Sequence, residues 1–232
     1  MRLLLAIISC HKHSAYRQAI RETWLPLVPK GVDAKFFCGS GSSPLPDEVF
    51  LDCPDGYDAL PAKVQSAVRW AQGYEFILKI DNDVVLKPKE FIASGFERYD
   101  FVGRKSNHIS TTPYGFCYTL SKRAMDLVAA ATLPRDNNDE HWVSQVLGTH
   151  GISLHNDTRY HLYTGKRGDF GTPIKRPLRA PRRDTLYGTT MAELISNGTF
   201  AYCMYLQKGY GGDDFTDENN IEVMKRIFKE TK

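Results

Sequence analysis

The chain has 232 residues, 42% of them hydrophobic and 25% charged, with a formal net charge of +3. That length suits one large domain, or a domain with a modest appendage, and so small a charge gives no reason to expect nucleic acid as a partner. Five widely spaced cysteines (Cys10, Cys38, Cys53, Cys117, Cys203) with no Cys-x-x-Cys pair argue against a zinc site or a disulfide framework.

Leu3 to Ser9 is a continuous aliphatic run, the pattern of a central parallel strand covered on both faces. It is too short to span a bilayer, so no integral membrane segment and a soluble, cytoplasmic protein are expected. Ala15 to Leu25 reads as a helix, with Ser14 as N-cap, Ala15, Ala19 and Ile20 on the inner side, and Pro26 and Pro29 ending it. Arg17 and Arg21 lie four apart and share a face. That face is either a solvated basic one or a phosphate contact beside the end of the first strand.

Ala34 to Gly39 and Val49 to Cys53 read as short strands, and Leu60 to Gln72 as an amphipathic helix closed by Gly73. Tyr74 to Ile80 is an apolar strand ending in Asp81-Asn82-Asp83, after which Val84-Val85-Leu86 resumes the run. In extended chain, residues i and i+2 project to one side, so Asp81 and Asp83 can converge on one cation, or on a cation and a ribose. Hard carboxylate oxygens suit magnesium or manganese. An Asx-rich turn between two strands is the alternative.

Pro88 to Phe96 reads as a short helix, Asp100 to Gly103 and Thr111 to Ser121 as strands, and Lys122 to Ala131 as a helix. Asp136, Asp139 and Glu140 precede an apolar helix running to about His150, where acids also compensate the helix dipole. Gly151 to Leu154 is expected to start a strand leading to His155 and His161. From Gly165 to about Asp184 the chain is rich in Gly, Pro and base, including Lys166, Arg167, Lys175, Arg176, Arg179, Arg182 and Arg183, and is expected to be an irregular loop facing an anionic ligand or surface. Met191 to Ile195 and Phe200 to Leu206 are expected to be short elements, and Glu218 to Lys232 a closing helix with an apolar stripe. Strands alternating with helices, with polar chemistry at strand ends, predict an α/β fold whose site lies at the carboxyl edge of the sheet.

Five segments together resemble the inverting β-1,3-glycosyltransferases that include the β-1,3-galactosyltransferases and the Fringe enzymes. Arg17-Gln18-Ala19-Ile20-Arg21-Glu22-Thr23-Trp24 is similar to that family's motif after its first strand, and Tyr57 to Lys63 to its Y-x-N-L-T-x-K. Lys79-Ile80-Asp81-Asn82-Asp83-Val84 resembles K-x-D-D-D-V, with Asn82 in place of the middle acid. Pro113 to Ser121 follows the family's Gly-rich aromatic segment, from which Phe116 and Cys117 depart. Asp139-Glu140-His141-Trp142-Val143, followed by Gly151-Ile152, resembles an acidic motif with its two acids exchanged in order. The five matches fall between residues 17 and 152, and the likeness is counted from the first strand at Leu3 to about His161, roughly two thirds of the chain.

The resemblance implies a GT-A-type (Rossmann-like) α/β fold with a mixed, mostly parallel central sheet. Residues 1–165 would form the nucleotide-sugar-binding and catalytic core, with residues 166–232 a basic loop and helical extension on the same domain. It implies transfer of a hexose, of galactose or N-acetylhexosamine type, from a UDP-sugar to a hydroxyl of a glycan acceptor, with manganese or magnesium as cofactor and a β-1,3 linkage. Members in animals carry a membrane anchor and paired cysteines, and this chain has neither, so a soluble bacterial or viral relative is implied. Asp83 would be the firmest metal ligand, Asp81 would assist it or hold the ribose, and Asn82 would lie near the nucleotide. His161 would be an extra ligand, ahead of His155. Glu140 would be the general base, with Asp139 as the alternative, and Arg17, Arg21 and Lys63 would contact the nucleotide or its phosphates. Trp24 and Trp142 are as readily core as sugar platforms. Two rival readings use the same residues: a nucleotidyltransferase or phosphohydrolase with the same metal site, and a non-catalytic carbohydrate-binding module on a transferase scaffold.

Overall fold

A computed structural model describes residues 1–106, 109, 111–163, 199–204 and 217–230. In chain order the strands are β1 (Leu3–Ile8), β2 (Val32–Cys38), β3 (Glu48–Phe50), β4 (Phe76–Asp81), β5 (Val84–Leu86), β6 (Phe101–Lys105), β7 (Pro113–Ser121), β8 (His155–Asn156), β9 (Tyr160–Tyr163) and β10 (Ala201–Met204). The helices are α1 (Ser14–Glu22), α2 (Leu60–Trp70), α3 (Pro88–Ile92), α4 (Lys122–Ala130), α5 (Asp139–Thr149) and α6 (Asp217–Glu230).

Seven strands form one sheet in the order β3-β2-β1-β4-β7-β6-β8. The pairs β1–β2, β1–β4, β2–β3 and β6–β8 are parallel, and β7 runs antiparallel to both β4 and β6. The expected α/β class with a mixed, mostly parallel sheet is therefore the fold. β1 is buried along its whole length because it lies mid-sheet with helices on both sides, which is why its sequence has no polar alternation. On one face Leu4, Ala6 and Ile8 pack with Val64 and Val68 of α2, Met125 of α4, and Val143 and Leu147 of α5. On the other, Leu3, Leu5 and Ile7 join Tyr16 and Ile20 of α1, and Met224 and Ile227 of α6. A second, three-stranded sheet, β5-β10-β9, branches from the acidic turn after β4.

Two local expectations are corrected, and an alternative left open for two tryptophans is decided. Helix α1 is entered through a tight turn at His11–His13, so Ser14 is its first residue and caps nothing; Ala15 is exposed, and Tyr16 and Arg17 turn inward with Ala19 and Ile20. The strand expected from Gly151 reduces to the two residues of β8, because Ile152 is spent on closing the end of α5 through a hydrogen bond from its N–H to the Leu147 carbonyl. Trp24 and Trp142 are both core: their indole N–H groups donate to the Val84 and Thr132 carbonyls at 3.0 and 2.9 Å. The expected basic loop, and the element expected at Met191 to Ile195, lie outside the described residues.

Candidate active site

β1 is the point where the sheet changes direction: the chain builds outward to β2 and β3 on one side, then returns to place β4 on the other. Parallel strands that diverge in this way leave a crevice at their carboxyl ends. Ser9 follows β1 and Asp81 ends β4, with Ile8 and Asp81 paired across the crevice. Asn82 Nδ2 closes its floor by donating to Ser9 Oγ at 3.1 Å.

Lys79 stands beneath the acids. Two residues before Asp81, it shares that residue's face of β4, and it is 3% exposed. Its ammonium donates to Asp81 Oδ1 at 2.6 Å and to the Gly115 carbonyl of β7, and lies 3.7 Å from Asp139 Oδ2. Burial alone would push the Lys79 pKa down, but Asp139, Asp81 and Glu140 outweigh it and raise it. This one cation thus ties the acid at the end of β4 to the first turn of α5.

The acids around it differ in environment. Asp81 keeps about a third of its side chain exposed, 35%, yet its carboxyl sits low in the crevice, where desolvation and Asp139 raise its pKa to about 6 against the opposing pull of Lys79. Asp83 is raised to about 7, first by desolvation and then by Asp81. Its Oδ1 is buried with no hydrogen-bond partner. Asp139 is 2% exposed and accepts the Tyr118 hydroxyl at 2.9 Å. Glu140 is half-buried and is raised to about 7, chiefly by desolvation and by Asp139. Asn138 caps α5 by accepting the His141 N–H at 2.8 Å, which fixes the turn carrying both acids. The Glu140 carboxylate lies so close over Gly115 that a Cβ there would stand 2.8 Å from it, so a larger residue at this position on β7 would displace the Glu140 side chain.

An unpartnered buried carboxylate oxygen on Asp83, with a second carboxylate two residues away, fits the oxygen chemistry of a divalent cation. Magnesium typically takes one or two carboxylates and completes its shell with phosphate oxygens and water. No three His, Cys, Asp or Glu side chains converge as a metal cage among the described residues.

The basic residues expected at the nucleotide are engaged by acceptors of the protein itself. Lys63, 2% exposed, spends its three N–H groups on the Ser9 carbonyl (2.7 Å) and on the Asp55 carbonyl and carboxylate (3.0 Å each). Arg17 is buried against Glu48 Oε1 (2.9 Å), Ser9 Oγ (3.2 Å) and the Cys10 carbonyl (2.5 Å). Arg21 forms a two-pronged pair with Asp47 (2.8 and 2.9 Å) and a third bond to Glu48 (2.8 Å). These cations are held by acids on β3 and its flanking loops. They brace the crevice wall, and Ser9 joins them to Asn82.

Of the two histidines expected near the metal, His155 lies away from the acids. His155 stacks on Tyr99, centroids 3.5 Å apart, on the edge strand β8, three strands and therefore about 14 Å from β4. The backbone of His161 lies in β9, level with Tyr202 of β10 and, across it, Val85 of β5. That places its Cα two strands, about 10 Å, to the side of β5. Sequence reading gave no role to Lys79, although a lysine inside an apolar run and two residues from an aspartate was the available signal. Nothing in the sequence singled out Tyr118, Asp55 or Ser9.

No family model matches the chain, and no curated protein matches it. Among solved structures it is similar to an inferred nucleotide-diphospho-sugar transferase from Desulfovibrio desulfuricans, with 11% identity and a TM-score of 0.47, over 67% of this chain and 80% of that one.

Proposed function

We propose that the chain is a metal-dependent inverting glycosyltransferase of GT-A type, moving a hexose from a UDP-sugar to a hydroxyl of a glycan acceptor. The observation that supports this reading is the shared crevice: Lys79 contacts Asp81 and stands within 4 Å of Asp139, so the acids of β4 and those of α5 face one volume. The sequence resemblance adds the galactose or N-acetylhexosamine class of sugar and the β-1,3 linkage.

In this reading Asp83, through its unpartnered oxygen, and Asp81 hold manganese or magnesium. When bound, the cation supplies Lewis-acid neutralisation of charge on the departing diphosphate. Glu140 acts as the general base. The bond from the sugar anomeric carbon to the diphosphate oxygen breaks, the acceptor oxygen bonds to that carbon from the opposite face, and the acceptor proton passes to Glu140. Asp139 is the weaker choice as base because its carboxylate is buried beneath Tyr118 and Lys79. It positions the turn instead. Lys63 acts as bracing, since its three donors are committed, and Arg17 and Arg21 act as bracing through the acids they hold.

The test is UDP release by purified protein, with a panel of UDP-hexoses, with and without glycan acceptors, in manganese. Release that needs an acceptor, with a matching mass gain on it, is expected. E140Q is expected to lower kcat by about 10²–10⁴-fold while UDP binding persists. Pyrophosphate or phosphate release without acceptor would favour the nucleotidyltransferase or phosphohydrolase reading, and undiminished turnover by E140Q would remove Glu140 from the chemistry.

A further inference from the structure

We propose that Lys79 is a positioning residue that competes with the divalent cation for Asp81 and passes to Asp139 when the cation binds, so that donor binding draws the first turn of α5 into place. This rests on the transferase reading above. The geometry leaves room for the transfer. Two of the three ammonium protons go to Asp81 Oδ1 and to the Gly115 carbonyl, while Asp139 Oδ2, at 3.7 Å, is beyond hydrogen-bond reach but adjacent. A doubly charged ion on Asp81 would repel an ammonium 2.6 Å from the same carboxylate. With Asp81 taken, the buried ammonium would keep the Gly115 carbonyl but lose its anionic partner, and the nearest remaining carboxylate is Asp139, which already holds a bond from Tyr118. Glu140 follows Asp139 on the same turn and lies against Gly115, whose carbonyl stays with Lys79. Movement of Lys79 therefore shifts the anchor of the base. Acceptor activation then follows occupation of the donor site.

The discriminating measurement is manganese binding in the presence of UDP, read by electron paramagnetic resonance of the free ion, for the unaltered chain, K79M and the double variant K79M/D139N. Circular dichroism reports folding for each. Removing a charge-assisted competitor for Asp81 should tighten manganese binding about tenfold or more in both variants. A merely structural lysine would leave affinity unchanged or weaken it. The double variant keeps the net charge of the unaltered chain and has no unpaired Asp139, so it decides the matter should K79M fail to fold. Tighter binding by the double variant supports the proposal. Unchanged or weaker binding by the double variant overturns it, whatever K79M does, because a gain confined to K79M would be long-range charge alone. Absence of manganese binding by the unaltered chain would overturn both this proposal and the cation reading on which it rests.

Discussion

Glu140 is the side chain on which the proposed chemistry makes the largest demand, and two features of its surroundings can be tested singly. Desolvation and the neighbouring Asp139 raise its pKa to about 7. A general base works only when ionised, so kcat/KM should be constant at alkaline pH and fall as pH drops through about 7, some two units above where an ordinary glutamate would set the limb. A pH-rate profile whose acid limb lies near 4.5 would rule out this residue as the base. The second feature is Gly115. Adding one methyl group in G115A puts a carbon 2.8 Å from the Glu140 carboxylate, which has to move, while the Gly115 carbonyl remains available to Lys79. Displacement of a base by about 1 Å costs on the order of a hundredfold, so kcat should fall by up to that factor with UDP affinity retained. Steady-state kinetics beside a UDP-binding isotherm separate the two effects.

At the scale of elements, the acids were legible and the bases were not. Asp81 and Asp83 were legible as acids at the end of an apolar run, but Asp81 ends β4 and Asp83 lies in the turn before β5, so the turn brings them together and strand periodicity does not. A lysine or arginine declares its charge in the sequence but not its partner. Parallel pairing of β2 with β3 sets Glu48 opposite Phe36 and brings it under Arg17 and Arg21 of α1, and a close approach of Gly39 to Asp55 brings the latter to Lys63. None of these pairings is local, so the sequence pointed to a phosphate contact and not to these acids. The difference is measurable. As a buried strut Lys63 should cost about 3 kcal/mol of stability when replaced by Met, because Asp55 loses its ion-pair partner and the Ser9 carbonyl its donor. Were it a phosphate ligand, K63M would fold with full stability and lose nucleotide affinity. The closing helix offers a parallel contrast. I227A removes a fully buried side chain from the core and should cost about 2–5 kcal/mol. K225A breaks only an exposed pair with Glu22 and should cost far less.

For the whole molecule, four carboxylates at one sheet edge with a single lysine among them make stability depend on pH in an unusual direction. Asp81, Asp83 and Glu140 have native pKa values raised to about 6, 7 and 7, whereas in the unfolded chain they titrate near 4. Between those limits the native state binds more protons than the unfolded state, so stability falls as pH rises through about 4 to 7. The opposite contributions come from Asp47, which Arg21 holds below the ordinary range, and from Glu48 and Asp55, where burial raises the pKa but hydrogen bonds from Arg21 and Arg17, or from the His11 and Gly39 N–H groups and Lys63, outweigh it. Those contributions are lost only as pH falls below about 4, outside this window. In chelator, thermal unfolding should therefore show a lower Tm at pH 8 than at pH 5.5. Manganese added at pH 8 should raise Tm, since it binds the ionised acids of the native state alone. D83N removes one of the raised carboxyls and should flatten the slope in chelator while abolishing most of the manganese effect. A Tm in chelator that rises from pH 5.5 to 8, with the same slope in D83N, would mean that these acids are paired in some way the crevice geometry does not show. The cation would then lose its place between β4 and α5.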